Sequence, residues 1–284
     1  MNKKIIFENS ALIVAHPDDE ILWFSSILEN VDKIIIIFKG TNNKKVLSGR
    51  NNIFNSKILP YANKISCLEI EESDAFNSAN WEMPKPTDYG IKTSSTKYKK
   101  NYYLLRDKLI EKLAGYKNII THNPWGEYGH EEHVQVFRVT MSLLAKLGYS
   151  IWVPGYFSER TFGMMSLFKN FISNNFIEYS INQQFCESVK SIYIDNGAWT
   201  WSNDYKWPQA ETFYELNYTN NLEIKMAKTP YVWNKMNFIL MFHIHLTYFS
   251  KIRSKAIQFF QLLIPKVLFD SLIKSYKNIK AKRG

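Results

Sequence analysis

Over the first 155 residues, short apolar runs that read as buried strands alternate with stretches whose apolar residues recur at helical spacing. Ala11–Ala15 reads as a strand and Glu20–Glu29 as a helix. Ile34–Phe38, four isoleucines and a phenylalanine, reads as a strand covered on both faces. Gly40-Thr41-Asn42-Asn43 is a loop, Ser48–Leu59 a helix stopped by Pro60, and Ile65–Ile70 a third strand. Pro84, Pro86 and many Ser and Thr make Glu71–Lys97 a long loop, a kind of segment that tends to be functional in compact domains. Tyr102–Leu113 places Leu105, Leu109 and Leu113 on one helical face. Asn118–Thr121 follows as a strand, His130–Leu147 as a helix and Ile151–Val153 as a fifth strand.

This alternation predicts an α/β fold, a Rossmann-like, mostly parallel sheet with helices on both faces. Ligands of such folds bind beyond the carboxyl ends of the strands. The first strand is not followed by G-x-G-x-x-G, and G-x-x-x-x-G-K-[ST] is absent, so neither a dinucleotide nor a P-loop argument applies.

Composition changes the picture mainly at the end of the chain. With 45% hydrophobic and 22% charged residues, disorder does not describe the whole. The 15% aromatic content fits either a packed core or a site that stacks on sugar rings or bases. Of the net charge of +10, residues 251–284 carry nine basic groups against the single acid Asp270, so the body is nearly neutral. Nucleic acid is therefore not an expected partner of the body. Residues 236–284 interleave Phe238, Phe242, Leu246, Phe249, Ile257 and Phe260 with lysines and arginines, and Pro265 divides two expected helices. Such a basic, amphipathic extension suits peripheral contact with an anionic membrane. A helical arm packing on the body or a second subunit is the alternative. Phe238–Phe249, with two histidines, falls short of the roughly 20 apolar residues of a span. Two cysteines without a CxxC, and an N-terminal apolar run too short for a signal peptide, fit a cytoplasmic protein, with the inner membrane face as its peripheral site.

The chemistry gathers at two strand ends. Ala15-His16-Pro17-Asp18-Asp19-Glu20 follows the first strand. Thr121-His122-Asn123-Pro124-Trp125-Gly126-Glu127-Tyr128-Gly129-His130-Glu131-Glu132-His133 follows the fourth, and His130 and His133 share a helical face. Three N/O ligands with an open position are the mark of a catalytic rather than a structural zinc. Asp18 or Asp19 would equally suit the cap of the following helix. His122, His243 and His245 read as packing or interface residues.

Together the two motifs resemble the PIG-L/LmbE family of zinc-dependent N-deacetylases over about residues 8–217. Glu178–Ile194 and Ala210-Glu211-Thr212-Phe213 are similar to its closing helix and strand. The resemblance implies a deacetylase domain at 1–217 and leaves 218–284 as the basic extension. It implies Zn2+ or another divalent metal held by His16, Asp19 and His133. It further implies Asp18 as general base, His130 as general acid and Tyr128 as donor to an oxyanion. Glu132, where the family usually has Asp, is expected to orient His130 and raise its pKa. Arg50 resembles a substrate-contacting residue, the alternative being an ordinary surface arginine. The family's usual His-x-Ser-Gln is replaced by Asp195-Asn196-Gly197-Ala198. Trp125 is expected to face the ligand. Trp199, Trp201 and Trp207 either line the same mouth or close the core, and core closure is preferred. The expected activity is removal of an N-acetyl group from an amino sugar on a glycan, lipid or nucleotide carrier. The alternatives are amide hydrolysis of another small conjugate, such as a thiol adduct, and a non-catalytic carbohydrate-binding relative.

Overall fold

The computed structural model describes residues 7–217 and 237–241. The elements in chain order are β1 (Ser10–Val14), α1 (Asp19–Trp23), β2 (Lys33–Ile36), α2 (Lys44–Asn55), β3 (Ile65–Cys67), β4 (Pro86–Thr87), β5 (Gly90–Ile91), α3 (Thr96–Lys112) and β6 (Asn118–Thr121). Then follow α4 (Glu131–Leu147), β7 (Ser150–Pro154), β8 (Tyr156–Ser158), α5 (Phe162–Phe168), β9 (Ile172–Ser180), α6 (Gln183–Asp195), β10 (Ala210–Leu216) and β11 (Ile239–Met241).

Seven strands form one sheet in the order β3-β2-β1-β6-β7-β10-β9. The first five are mutually parallel, and β10 runs antiparallel to both β7 and β9. This is the expected α/β architecture. All of β1 and β6 is buried, as sheet strands covered on both faces must be. One apolar cluster fills the side of Ile13, Ile35 and Ile119, the other that of Leu12, Ile34 and Ile120. The chain winds outward from β1 through β2 and β3, then returns to β6 on the other side of β1. The carboxyl ends of β1 and β6 therefore flank a topological switch point, where α/β folds form their ligand crevice.

Local chemistry moves several element bounds. Helix α1 is short because the Glu211 carboxylate takes the N–H and hydroxyl of both Ser25 and Ser26, which diverts the chain into a 3-10 turn. Helix α2 starts earlier than its apolar spacing predicts because Asn43 Oδ1 caps it, accepting from the N–H groups of Lys45 and Val46. Residues 178–180 belong to β9, and α6 begins only at Gln183, capped by Asn182. The long loop contains a two-residue hairpin, β4–β5, and ends as α3 begins.

Of the expected 218–284 extension, only 237–241 is described. Here β11 pairs in parallel with β8, and Phe238 stacks on Tyr214, so this piece packs on the body. His243, His245 and the basic tail lie outside the described residues. Among the described residues, no helix is long and apolar enough to cross a membrane.

Candidate functional site

Two turns build the site. After β1, Asp18 adopts a left-handed conformation with φ 86°, and its N–H is held by Glu20 Oε2 at 3.0 Å. Glu20 is buried and also accepts from the hydroxyls of Tyr61 and Tyr193, which fixes the turn from below. Asp18 opens α1, but its side chain makes no capping bond. Its Oδ2 instead accepts the N–H and hydroxyl of Thr200, at 2.7 and 2.8 Å. Burial, with the charge of Asp19, pushes the Asp18 carboxyl up to about 8.

After β6, Asn123 pins the second turn. Its Nδ2 donates to the carbonyls of Pro154 and Tyr156, and its Oδ1 accepts from the N–H groups of Trp125 and Glu127. Gly126 sits at φ 67°, and a Cβ there would meet the His130 carbonyl at 2.5 Å, so this tight turn requires glycine. The turn delivers His130 to the first position before α4 and His133 one turn into it.

The hydrogen bonds sort four imidazoles into two kinds. A neutral imidazole has one N–H and one lone pair in the ring plane. His122 Nε2 accepts the Ala15 N–H at 2.8 Å, so Nδ1 donates to Glu127 and no lone pair remains. His130 Nδ1 accepts the Glu132 N–H at 3.2 Å, which leaves its proton on Nε2. In contrast, His133 Nδ1 lies 2.6 Å from Glu127 Oε2, and its buried Nε2 has no hydrogen-bond partner. His16 Nε2 lies 2.8 Å from Glu132 Oε2, which leaves Nδ1 with the lone pair. Carboxylates behind imidazoles in this way fix the tautomer of metal-binding histidines.

The two available lone pairs meet at Asp19. Its Oδ2 lies 3.1 Å from His16 Nδ1 and 3.2 Å from His133 Nε2. Donors around a tetrahedral zinc at about 2.0 Å stand roughly 3.3 Å apart. Trp23 Nε1 donates to the other oxygen of Asp19 and orients the carboxylate. Burial alone would lower the pKa of both histidines. The hydrogen bonds and charges of Asp19 and Glu132 nevertheless lift His16 to about 10, and those of Asp19 and Glu127 lift His133 to about 9. The carboxylates thus demand positive charge around Asp19 Oδ2, which both imidazole nitrogens approach. A divalent cation would satisfy that demand, and imidazole nitrogens with a carboxylate oxygen are the donor types such a cation takes. The groupings whose ligand atoms all lie within 4.8 Å of one another are His16 with His130 and His133, and Asp19 with His122 and His133; each includes an imidazole whose lone pair is already used.

A cleft of about 300 Å³ opens over these groups. It is lined by His16, Asp19, Arg50, Tyr128, His130 and Glu132, and also by Phe76, Thr200 and Trp201. Glu131 and Glu132 together tie the long loop over α4. Glu132 Oε1 accepts from Ser73, and Glu131 accepts from the N–H groups of Asn77 and Ala79 and the Trp81 indole. The loop thereby lays Phe76 over the His130 ring, with centroids 4.8 Å apart.

Four expectations change. Trp125 does not face the cleft: it is fully buried, and its Nε1 donates to the Tyr156 carbonyl at 2.8 Å, because the Asn123 turn directs the ring into the core. Glu132 serves His16 rather than His130. Its side chain leaves the helix toward Ser73, and only its backbone N–H reaches His130. Burial, with the nearby His133 and His16, holds His130 well below its usual pKa, opposite to the expected rise. Among the tryptophans, Trp207 closes the core through a bond to the Ile21 carbonyl, whereas Trp201 lines the cleft against Tyr128, centroids 4.6 Å apart. Arg50 is no surface arginine. It is 2% exposed and gives Nη1 to the Phe38 and Lys39 carbonyls and to Glu72 at 2.8 Å. The sequence reading assigned no role to Glu127 or Thr200. Glu127 had a signal, since it stands within the second motif, six residues before His133.

No family model matches the chain. An uncharacterized protein of Acanthamoeba polyphaga mimivirus is 28% identical over 160 residues, 52% of this chain. The aligned part is 59% of that protein, so the chain spans about three-fifths of its length. Among solved structures, a deacetylase–teicoplanin complex from teicoplanin biosynthesis is similar at 11% identity and TM-score 0.45, covering 74% of this chain and 99% of that one. The zinc-inhibited form of teicoplanin deacetylase Orf2 is similar at 10% identity and TM-score 0.48, with the same coverage. At those values the likeness fixes neither family nor activity.

Proposed function

We propose that the chain is a metal-dependent hydrolase that removes the acetyl group from an N-acetylated amino sugar. The approach of His16 Nδ1 and His133 Nε2 to Asp19 Oδ2, with His16 and Asp19 on the wall of a cleft, carries the reading. The acetamide substrate rests on the resemblance of the His16–Glu20 and Tyr128–His133 motifs to PIG-L/LmbE deacetylases. Those three side chains would hold a divalent cation, zinc or a metal of similar ligand preference. The cation supplies positive charge that polarises the acetyl carbonyl and acidifies water.

The remaining steps belong to this chain's own groups. Asp18, oriented by Thr200, takes the proton of the attacking water. Tyr128, on the cleft wall beside His133, donates toward the oxygen that gains negative charge. His130 is neutral with its one proton on Nε2, so it donates a hydrogen bond toward the departing nitrogen and keeps that proton. An amine leaves only when protonated, and the Asp18 carboxyl, which holds the proton taken from water, passes it to that nitrogen and returns to carboxylate.

Acetate release from free, nucleotide-linked and lipid-linked N-acetylated sugars by zinc-loaded, full-length protein tests the proposal. Release that stops on chelation and returns with metal supports it. Absence of release from every such sugar refutes it.

A further inference from the structure

We infer that the cleft selects an uncharged N-acetylated sugar and rejects one bearing phosphate on the sugar ring, with Glu72 and Asp74 as the specificity-determining residues. The inference rests on the deacetylase reading and adds the carrier's charge to it.

The lining carries four carboxylates, Asp19, Glu72, Asp74 and Glu132, against one guanidinium, Arg50. A divalent cation at the histidines still leaves an excess of one negative charge. The charge of Arg50 is already matched by a carboxylate: its Nη1 is shared among two carbonyls and Glu72. The start of α2 reaches the same rim through Thr41, Asn43 and Val46, and helix starts ordinarily welcome phosphate. Here the Lys45 and Val46 N–H groups are already bonded to Asn43 Oδ1, and neither Lys44 nor Lys45 lines the cleft. Asp74 is paired with Lys97 at 3.3 Å, but Lys97 also stays outside the lining. A phosphate would therefore enter beside carboxylates whose charge outweighs that of the single guanidinium.

A neutral sugar meets better partners. Phe76 and Trp201 line the cleft and pack against Tyr128, with centroids 6.4 and 4.6 Å from its ring. These rings offer faces for the apolar C–H surface of a pyranose, while Glu72, Asp74 and Asn43 offer acceptors for its hydroxyls. Specificity of this kind uses a repulsive element as well as an attractive one.

The test is binding, read by tryptophan fluorescence and calorimetry on the full-length, zinc-loaded protein at low salt. The probes are N,N'-diacetylchitobiose and N-acetylglucosamine 1-phosphate. The neutral sugar should bind at least about tenfold more tightly, and salt should narrow the gap by screening the repulsion. Glu72→Gln with Asp74→Asn should narrow it further by improving binding of the phosphate. Equal or tighter binding of the phosphate, no binding of the neutral sugar, or a ratio unmoved by the two substitutions would overturn the inference. Binding is measured apart from turnover. A protein that prefers the neutral sugar but releases no acetate refutes the deacetylase proposal and leaves the selectivity standing.

Discussion

Thr200 donates both its N–H and its hydroxyl to Asp18 Oδ2, at 2.7 and 2.8 Å, across 182 residues of sequence. The pairing fixes one oxygen of a buried carboxylate set on a left-handed turn. Asp18→Asn should keep the metal and lose about 10²–10⁴-fold in activity, the usual cost of removing a general base. Thr200→Val keeps the N–H bond and loses only the hydroxyl, so kcat should fall about tenfold with metal content unchanged. Metal analysis beside steady-state kinetics checks both. Loss of metal in Asp18→Asn would make Asp18 a ligand instead.

Glu127 receives His122 and His133 on one oxygen and the Asn123 N–H on the other, and these partners pull its carboxyl down to about 2 despite burial. Glu127→Gln should weaken zinc binding by about 10–100-fold while leaving the fold intact. Competition with a chromophoric chelator measures this, and unchanged affinity would remove Glu127 from the account.

Trp125 and Trp201 make a contrasting pair. Trp125→Ala empties a fully buried site and should cost about 3–5 kcal/mol, seen as a large fall in Tm. Trp201→Ala, on the cleft wall, should change Tm little and raise KM. The reverse pattern would place Trp125 at the ligand after all.

The tail is proposed as a membrane contact from its charge. Deleting residues 251–284 removes nine basic groups and should abolish salt-sensitive binding to vesicles containing phosphatidylserine. Full-length protein that ignores such vesicles at low salt would make the tail an arm for packing or assembly.

What the sequence made legible was local. The strands were visible because Ile13, Ile35 and Ile119 and their neighbours must be apolar on both faces. Both histidine motifs stood at strand ends, where this architecture puts its crevice. The early end of α1 was not visible, because it depends on Glu211, 186 residues from Ser25. Thr200 escaped for the same reason, since nothing within its own segment marks a threonine as the neighbour of Asp18, and nothing there separates Trp201, on the cleft wall, from Trp207, in the core. Trp125 misled because it lies inside the motif, and only the Asn123 hydrogen bonds reveal that the turn sends its ring inward. The expectation for Glu132 failed on geometry as well. A glutamate at the second position of α4 points away from the residue before the helix and toward His16 and Ser73.

Calorimetric titration of metal-free, full-length protein with zinc tests the central claim most directly. The account predicts one ion bound per chain, and loss of that binding in His16→Ala, Asp19→Ala and His133→Ala. His122→Ala, which lacks a free lone pair in the native arrangement, should keep a stoichiometry of one with reduced affinity. No zinc binding by the wild-type chain, or binding that survives each of the first three substitutions, would contradict it.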